Sequence, residues 1–275
     1  KLTIIAMLLV SIAGGFLLVA EDGGAEAPMA PTTRYVGGGN STYSTIQDAL
    51  DDSGDGDTIV IYDGTYDESQ LSVTQSNITI VGNMTSTGVK VTSTLSGPDL
   101  YVNGVTNVTI KYINFTHDDQ AARVFQSDNV TFTACVFWST GGSSGSIFVE
   151  ESEMIMVQGD FDLLKMTKMH AEGDNNPALK IDESTYVGTF LSELETDGDS
   201  ADVIACYGDC PYIAASLAML SAKGTSSSIL YSNGYIDGYL AGLMTPVYSN
   251  DLIEMGTGFV ETLDFIVPDN DVSVG

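Results

Sequence analysis

Residues 34–69 read RYVGGGNSTYSTIQDALDDSGDGDTIVIYDGTYDES, and the order of elements within them decides how the rest of the chain is read. Ile46, Ala49 and Leu50 fall on one face at i, i+3, i+4 spacing, which predicts a short helix capped by Ser44. The turn DDSGDGD (51–57) ends that helix. Thr58–Tyr62 (TIVIY) then reads as a buried strand, and Asp63-Gly64 turns the chain again. Helix, acidic turn, apolar strand and tight turn fit the start of a coil that grows by adding short strands.

Downstream, the pattern repeats. Asn107-Val-Thr-Ile runs to Phe115, Asn129-Val-Thr-Phe to Phe137, and Glu153-Met-Ile-Met to Phe161. A Phe follows each anchor at the same distance, so Phe115, Phe137 and Phe161 are expected to stack inward as core. A second short strand precedes each anchor: Leu100–Val102, Arg123–Phe125 and Ile147–Val149. Weaker copies continue at 179–181, 203–205, 229–231 and 247–248, and residues 165–178 read as an inserted loop. Repeats of this length with two or three short strands each are the signature of a stacked solenoid. A helical bundle would need long 3.6-period stretches, which do not occur beyond residue 50.

Within residues 34–69, Thr45-Ile46-Gln47, Gly56-Asp57-Thr58-Ile59 and Gly64-Thr65-Tyr66 stand in an order that resembles the capping unit of the pectin lyase-like superfamily. The resemblance implies an all-β fold: a right-handed parallel β-helix with a short capping helix. It implies nothing about an active site. The Gly-His-Gly setting of the hydrolases is found at neither His117 nor His170, and the paired-aspartate motif of the esterases is not apparent. No catalytic residue is assigned, and no enzyme activity is expected.

Three segments result: a hydrophobic helix at 1–20, a linker at 21–33, and a β-helix domain at 34–275. The apolar run LTIIAMLLVSIAGGFLLVA (2–20) fits a signal peptide, a membrane anchor, or the retained packing helix of a pilin, which it resembles. All three readings export the remainder of the chain. The sequence has 275 residues, with 37 acidic against 9 basic side chains and a net charge of −28. With two arginines, Arg34 and Arg123, it lacks the basic clusters that nucleic acid requires. Any membrane contact is expected through residues 1–20 alone. The expected role is a self-polymerising structural subunit of a prokaryotic, archaeal-type filament, sheath or surface layer. The alternative is a secreted polysaccharide-binding or pectate-lyase-like protein.

Candidate sites follow from residue chemistry. For the alternative role, Trp138 and Asp162, placed beside Thr116 by the repeat, with His117 and Arg123, form a sugar-binding patch: an aromatic platform beside carboxylates. Asp51, Asp55 and Asp57 alternate as in a calcium loop, though Tyr62 replaces the bidentate Glu, so Ca²⁺ is the one cofactor in view. Glu195, Asp197, Asp199 and Asp202 form a second acidic turn. Cys206 and Cys210 are spaced to close a turn disulfide in an oxidising exterior, and Cys135 reads as buried core. Six sequons, at Asn40, Asn77, Asn83, Asn107, Asn114 and Asn129, are glycosylation candidates. At Asn77, Asn107 and Asn129 a turn-forming role explains the same residues without sugar.

Overall fold

The computed structural model describes residues 30–39, 41–83, 88–93, 95–142, 144–160, 163, 165–233, 235–246, 253–255 and 259–266. The apolar segment 1–20 lies outside them. Among the described residues no helix is long and apolar enough to cross a membrane. From Pro31 onward the chain forms one compact unit, a stack of parallel strands.

Each coil contributes three strands. One face is an eight-stranded parallel sheet that includes Leu71–Val73, Leu100–Asn103, Ala122–Phe125, Ile147–Glu150, Leu179–Asp182, Ile204–Tyr207 and Leu230–Ser232. The second face carries Thr58–Ile61, Thr79–Gly82, Thr106–Lys111, Asp128–Thr133, Glu153–Gln158 and Val187–Phe190. The third carries Gly64–Asp67, Val89–Thr92, Ile113–His117, Val136–Ser139, Thr167–Ala171 and Ser192–Thr196. In the strand Cys210–Ala222 the second and third faces merge into one sheet. The first strand begins at Thr33, one residue before the expected boundary.

Corners are made by residues with left-handed backbone. Gln126, Glu151 and Glu183 (φ 46°, 47° and 45°) turn the first face into the second. Tyr112, Ala134 and Leu191 (φ 59°, 50° and 47°) turn the second into the third. Beside the first corner runs a serine stack, in which Ser152 Oγ accepts the Ser127 amide at 3.2 Å and Ser184 Oγ accepts the Ser152 amide at 3.3 Å. Buried amides that leave a strand at a bend thus find partners in the next rung.

The period-2 alternation points Val, Ile, Leu and Phe inward on all three faces. Phe115 and Phe137 stack with ring centroids 5.4 Å apart, and Phe132 meets Phe137 edge-on at 5.2 Å. Each buried ring contributes about 1.5–3 kcal/mol relative to exposure. Phe161 lies outside the described residues, and the rung after Phe137 is filled by Met169, then Leu194 and Leu220. Residues 165–178 are therefore only partly a loop, formed by the turn at 172–178. Thr167–Ala171 is a regular third-face strand, and the extra residues sit just before it, around the bridge between Asp160 and Lys165.

The cap helix spans Ile46–Asp51 with Thr45, not Ser44, at its N-cap: Thr45 Oγ1 accepts the Asp48 amide at 3.2 Å. Glu68 Oε1 accepts the Ile46 amide at 2.6 Å and ties the helix to the following strand. Asp57 is 4 % exposed and holds the entry to the coil. It accepts from the Thr32 amide (2.6 Å), the Thr32 hydroxyl (2.9 Å) and the Gly54 amide (2.7 Å), and pairs with Arg34 at 2.6 Å. Burial works to raise its carboxyl, but those hydrogen bonds and the Arg34 charge outweigh it, so its pKa is lowered. Asp51 accepts from Gln47 at 2.7 Å and Asp55 from Asn77. The calcium-loop expectation is thereby corrected: the three carboxylates are each committed to a different structural partner and do not converge on one point.

Candidate functional site

The outer surface of the first face concentrates aromatic and basic side chains. Strand register sets Tyr101, Arg123, Phe148, Lys180, Ala205 and Tyr231 in one column, one residue per rung. The neighbouring column carries Phe125, Glu150, Asp182 and Tyr207. The Arg123 guanidinium sits 5.8 Å from the Tyr101 ring, 5.3 Å from Phe125 and 5.4 Å from Phe148. Lys180 lies 4.7 Å from Phe148 and 5.2 Å from Tyr207. Such cation–π neighbours hold a charge in place without neutralising it.

Within this strip two carboxylates face each other across one rung. Glu150 and Asp182 are register partners. Arg123 donates to Glu150 Oε2 through Nε at 3.1 Å and again through Nη2. Burial, then the charge of Glu150, raise the Asp182 carboxyl above its ordinary range, against the opposing pull of Lys180. A carboxylate braced by arginine beside a carboxyl that resists ionisation is the arrangement that separates a base from an acid.

A groove of about 340 Å³ continues the strip. It opens because Ala205 occupies the column between Lys180 and Tyr231, leaving the space a larger side chain would fill. Tyr207 and Tyr231 wall it with ring centroids 5.7 Å apart, and Asn175, Pro177, Ser200 and Asp202 line the rest. Asp202 Oδ1 accepts from the Ser228 amide at 2.9 Å and its hydroxyl at 2.6 Å, which fixes the polar edge. Burial, then the Asp202 carboxylate, raise the Tyr207 phenol, so it remains a hydrogen-bond donor.

This site was not anticipated as a unit. Arg123 belongs to it, but the other members of the expected sugar-binding patch do not. Trp138 is on the third face, 38 % exposed, with its ring 4.4 Å from His170. It pairs with Thr116 as expected, yet His170 rather than Asp162 follows it; Asp162 lies outside the described residues. His117 points into the coil and is 3 % exposed. Its Nδ1 accepts the Asp119 and Gln120 amides at 2.9 and 3.2 Å, and its Nε2 bonds the Leu95 carbonyl at 2.9 Å, so it is a structural histidine.

The turn disulfide is a further expectation that is corrected. Cys206 and Cys210 are free, buried thiols; burial and the neighbouring Cys210 side chain raise the Cys206 thiol well above its ordinary value. Asn77, Asn107 and Asn129, which the sequence also explains as turn formers, form an asparagine ladder. Asn107 Nδ2 donates to Asn77 Oδ1 at 2.7 Å and Asn129 Nδ2 to Asn107 Oδ1 at 2.6 Å. Asn114 points outward on the third face, Asn83 donates its amide to the Ile61 carbonyl at 2.6 Å, and Asn40 lies outside the described residues.

No protein-family model matches the sequence, and no curated protein matches it. Solved structures do match the coil. A pectin methylesterase from carrot superposes with a TM-score of 0.57 at 14% identity, covering 89% of this chain and 90% of its own. One from Aspergillus niger gives 0.51 at 18% identity, over 86% and 87%. A pectate lyase gives 0.50 at 11% identity, over 86% and 79%. The scaffold is a pectin lyase-like right-handed parallel β-helix. The expectation of a non-enzymatic filament or surface-layer subunit is corrected at this point. The pectin methylesterases and the pectate lyase named above share this β-helix along most of its length and are enzymes, and the outer surface of the first face carries a carboxylate pair that the sequence motifs did not flag.

Proposed function

We propose that the chain is an exported carbohydrate-active protein that binds an acidic, uronate-type polysaccharide along the first face of the coil. The observation that carries this reading is the Glu150–Asp182 pair set between Arg123 and Lys180 in a strip of aromatic rings. Tyr101, Phe148, Tyr207 and Tyr231 offer flat apolar faces to sugar rings, and rungs about 4.8 Å apart present a new contact at each step along a polymer. Arg123 and Lys180 are two of only nine basic residues in a chain of net charge −28, so an anionic ligand is met where repulsion is locally relieved. The Tyr207–Tyr231 groove seats one ring beside the reacting unit.

In this mechanism Glu150, oriented by Arg123, takes up a proton or activates a nucleophile. Asp182, whose carboxyl burial and Glu150 raise above its ordinary range, delivers a proton to the departing oxygen. The named activities of the neighbours, pectin methylesterase and pectate lyase, support a pectin-type substrate.

The test is an assay of the full chain on methyl-esterified pectin and on polygalacturonate, following methanol release, reducing ends and unsaturated products. One of these signals should appear and fall at least a hundredfold in Asp182→Asn and Glu150→Gln. No product from either polymer, together with no binding to them, would overturn the reading.

A further inference from the structure

We infer that His170, Glu172 and Asp197, on the third face, bind one divalent transition-metal ion of the zinc type. Alternation along the strands sets the geometry. His170 and Glu172 are two residues apart at the end of Thr167–Ala171, and Glu195 and Asp197 are two apart at the end of Ser192–Thr196, with His170 and Glu195 in register. All four point outward onto one patch.

His170 Nδ1 lies 3.2 Å from Glu195 Oε1, which places the ring proton on that nitrogen and turns the lone pair of Nε2 the other way. Nε2 is buried with no hydrogen-bond partner. It faces Glu172 Oε1 at 3.5 Å and Asp197 Oδ2 at 3.4 Å. A ring nitrogen facing two carboxylate oxygens at these distances makes a set of three donors that one cation can share. Tetrahedral coordination with bonds of 2.0–2.1 Å needs ligand–ligand edges of about 3.3 Å, close to the two distances observed. The three ligand atoms already lie within 4.8 Å of one another.

Charge points the same way. Glu172, Glu195 and Asp197 surround the ring against one ammonium, Lys223, which contacts Glu195 and lies 3.3 Å from Asp197. Three carboxylates against one ammonium leave an excess of negative charge around the ring, which a divalent ion offsets. Trp138 packs against the imidazole with ring centroids 4.4 Å apart and helps to hold its orientation. Glu195 is the carboxylate that orients the ligand histidine, and Lys223 braces the strand end that carries Glu195 and Asp197.

The site is separate from the first-face strip, and its test does not depend on activity. The full chain is titrated with Zn²⁺ by calorimetry and with Co²⁺ by visible absorption. One ion per chain is expected, with the intense visible bands of four-coordinate cobalt. Affinity should fall at least tenfold in His170→Ala and in Glu172→Gln, and remain unchanged in Glu193→Gln, whose carboxylate on the same face pairs with Lys168 at 2.5 Å. Glu172 is 40 % exposed, so its substitution preserves the fold even if loss of His170 does not. No saturable binding, or equal affinity in the wild type and both ligand variants, would leave only an ion cloud on an acidic surface and overturn the inference.

Discussion

Asp182 stands directly over Glu150 on consecutive rungs of the first face, and the Glu151 amide donates to the Asp182 carbonyl at 3.0 Å between them. Because the backbone fixes this pairing, the two carboxyls cannot separate to relieve their repulsion. The rise in the Asp182 pKa is therefore built into the strand register, with burial as its larger cause. Activity should depend on pH through Asp182, falling as pH rises and that raised carboxyl ionises. In Asp182→Asn the alkaline limb should disappear along with most of kcat, a loss on the order of 10²–10⁴-fold. A pH–rate profile unchanged by that substitution would remove Asp182 from the chemistry.

Asp99 gives a separate pH effect, on stability. It is 1 % exposed, and burial pushes its carboxyl up to about 8. Its folded pKa exceeds its unfolded value, so folding takes up a proton between roughly pH 4 and 8. Stability from this residue is full below that window and falls as pH rises through it, by at most about 1.4 kcal/mol per pH unit. Asp99→Asn, nearly the same shape without the charge, should flatten the slope and raise stability at pH 8. Urea unfolding at pH 5 and pH 8 reads this directly; parallel curves for parent and variant would disprove the assignment.

At the turns that close the third face, rungs approach so closely that only glycine fits. A Cβ on Gly198 would lie 1.8 Å from the Gly173 carbonyl oxygen, and one on Gly224 would lie 1.9 Å from that of Gly198. Both contacts are to backbone, which cannot swing aside. Gly198→Ala should destabilise by about 3 kcal/mol or more, in the range of strongly overpacked sites. Gly39, where a Cβ meets nothing within 4 Å, is the control. Equal melting temperatures for the two variants would show that the rungs are looser than drawn.

The coil was legible because its signals are local and repeat: Asn107 and Asn129 open strands, Phe115 and Phe137 follow at fixed spacing, and GDTI with its cap precedes them. The register failed where spacing changed, since residues added before Thr167 put Met169 and His170 where Phe161 and Asp162 were expected. The sites were not legible for a related reason. Glu150 and Asp182, or His170 and Asp197, belong to different repeats, and only the stacking of whole rungs makes them neighbours. Motifs run along the chain, whereas this fold brings side chains together across it. Asp51, Asp55 and Asp57 show the converse: close in sequence, they are each taken by a different partner, Gln47, Asn77 and Arg34.

The asparagine ladder ends one rung early, and that end can be tested. Asn77, Asn107 and Asn129 each adopt φ between 53° and 58°, a region asparagine tolerates because its amide satisfies local backbone and neighbours. The next rung holds the same backbone, φ 54°, but places Met154 there, 49 % exposed and without an amide. Met154 thus bears left-handed strain of about 1–2 kcal/mol that asparagine reduces. Met154→Asn should add a donor to Asn129 Oδ1 and stabilise the chain by about 1–2 kcal/mol, the hydrogen bond itself contributing about 1. Asn107→Ala, in the middle, should cost a similar amount, because it removes the donor to Asn77 and the acceptor of Asn129 together. Chemical denaturation of the two single variants and the double variant decides it. The gain from Met154→Asn should survive in the Asn107→Ala background, since its partner Asn129 remains in place. No gain in either background would mean that the fourth rung is not a continuation of the ladder.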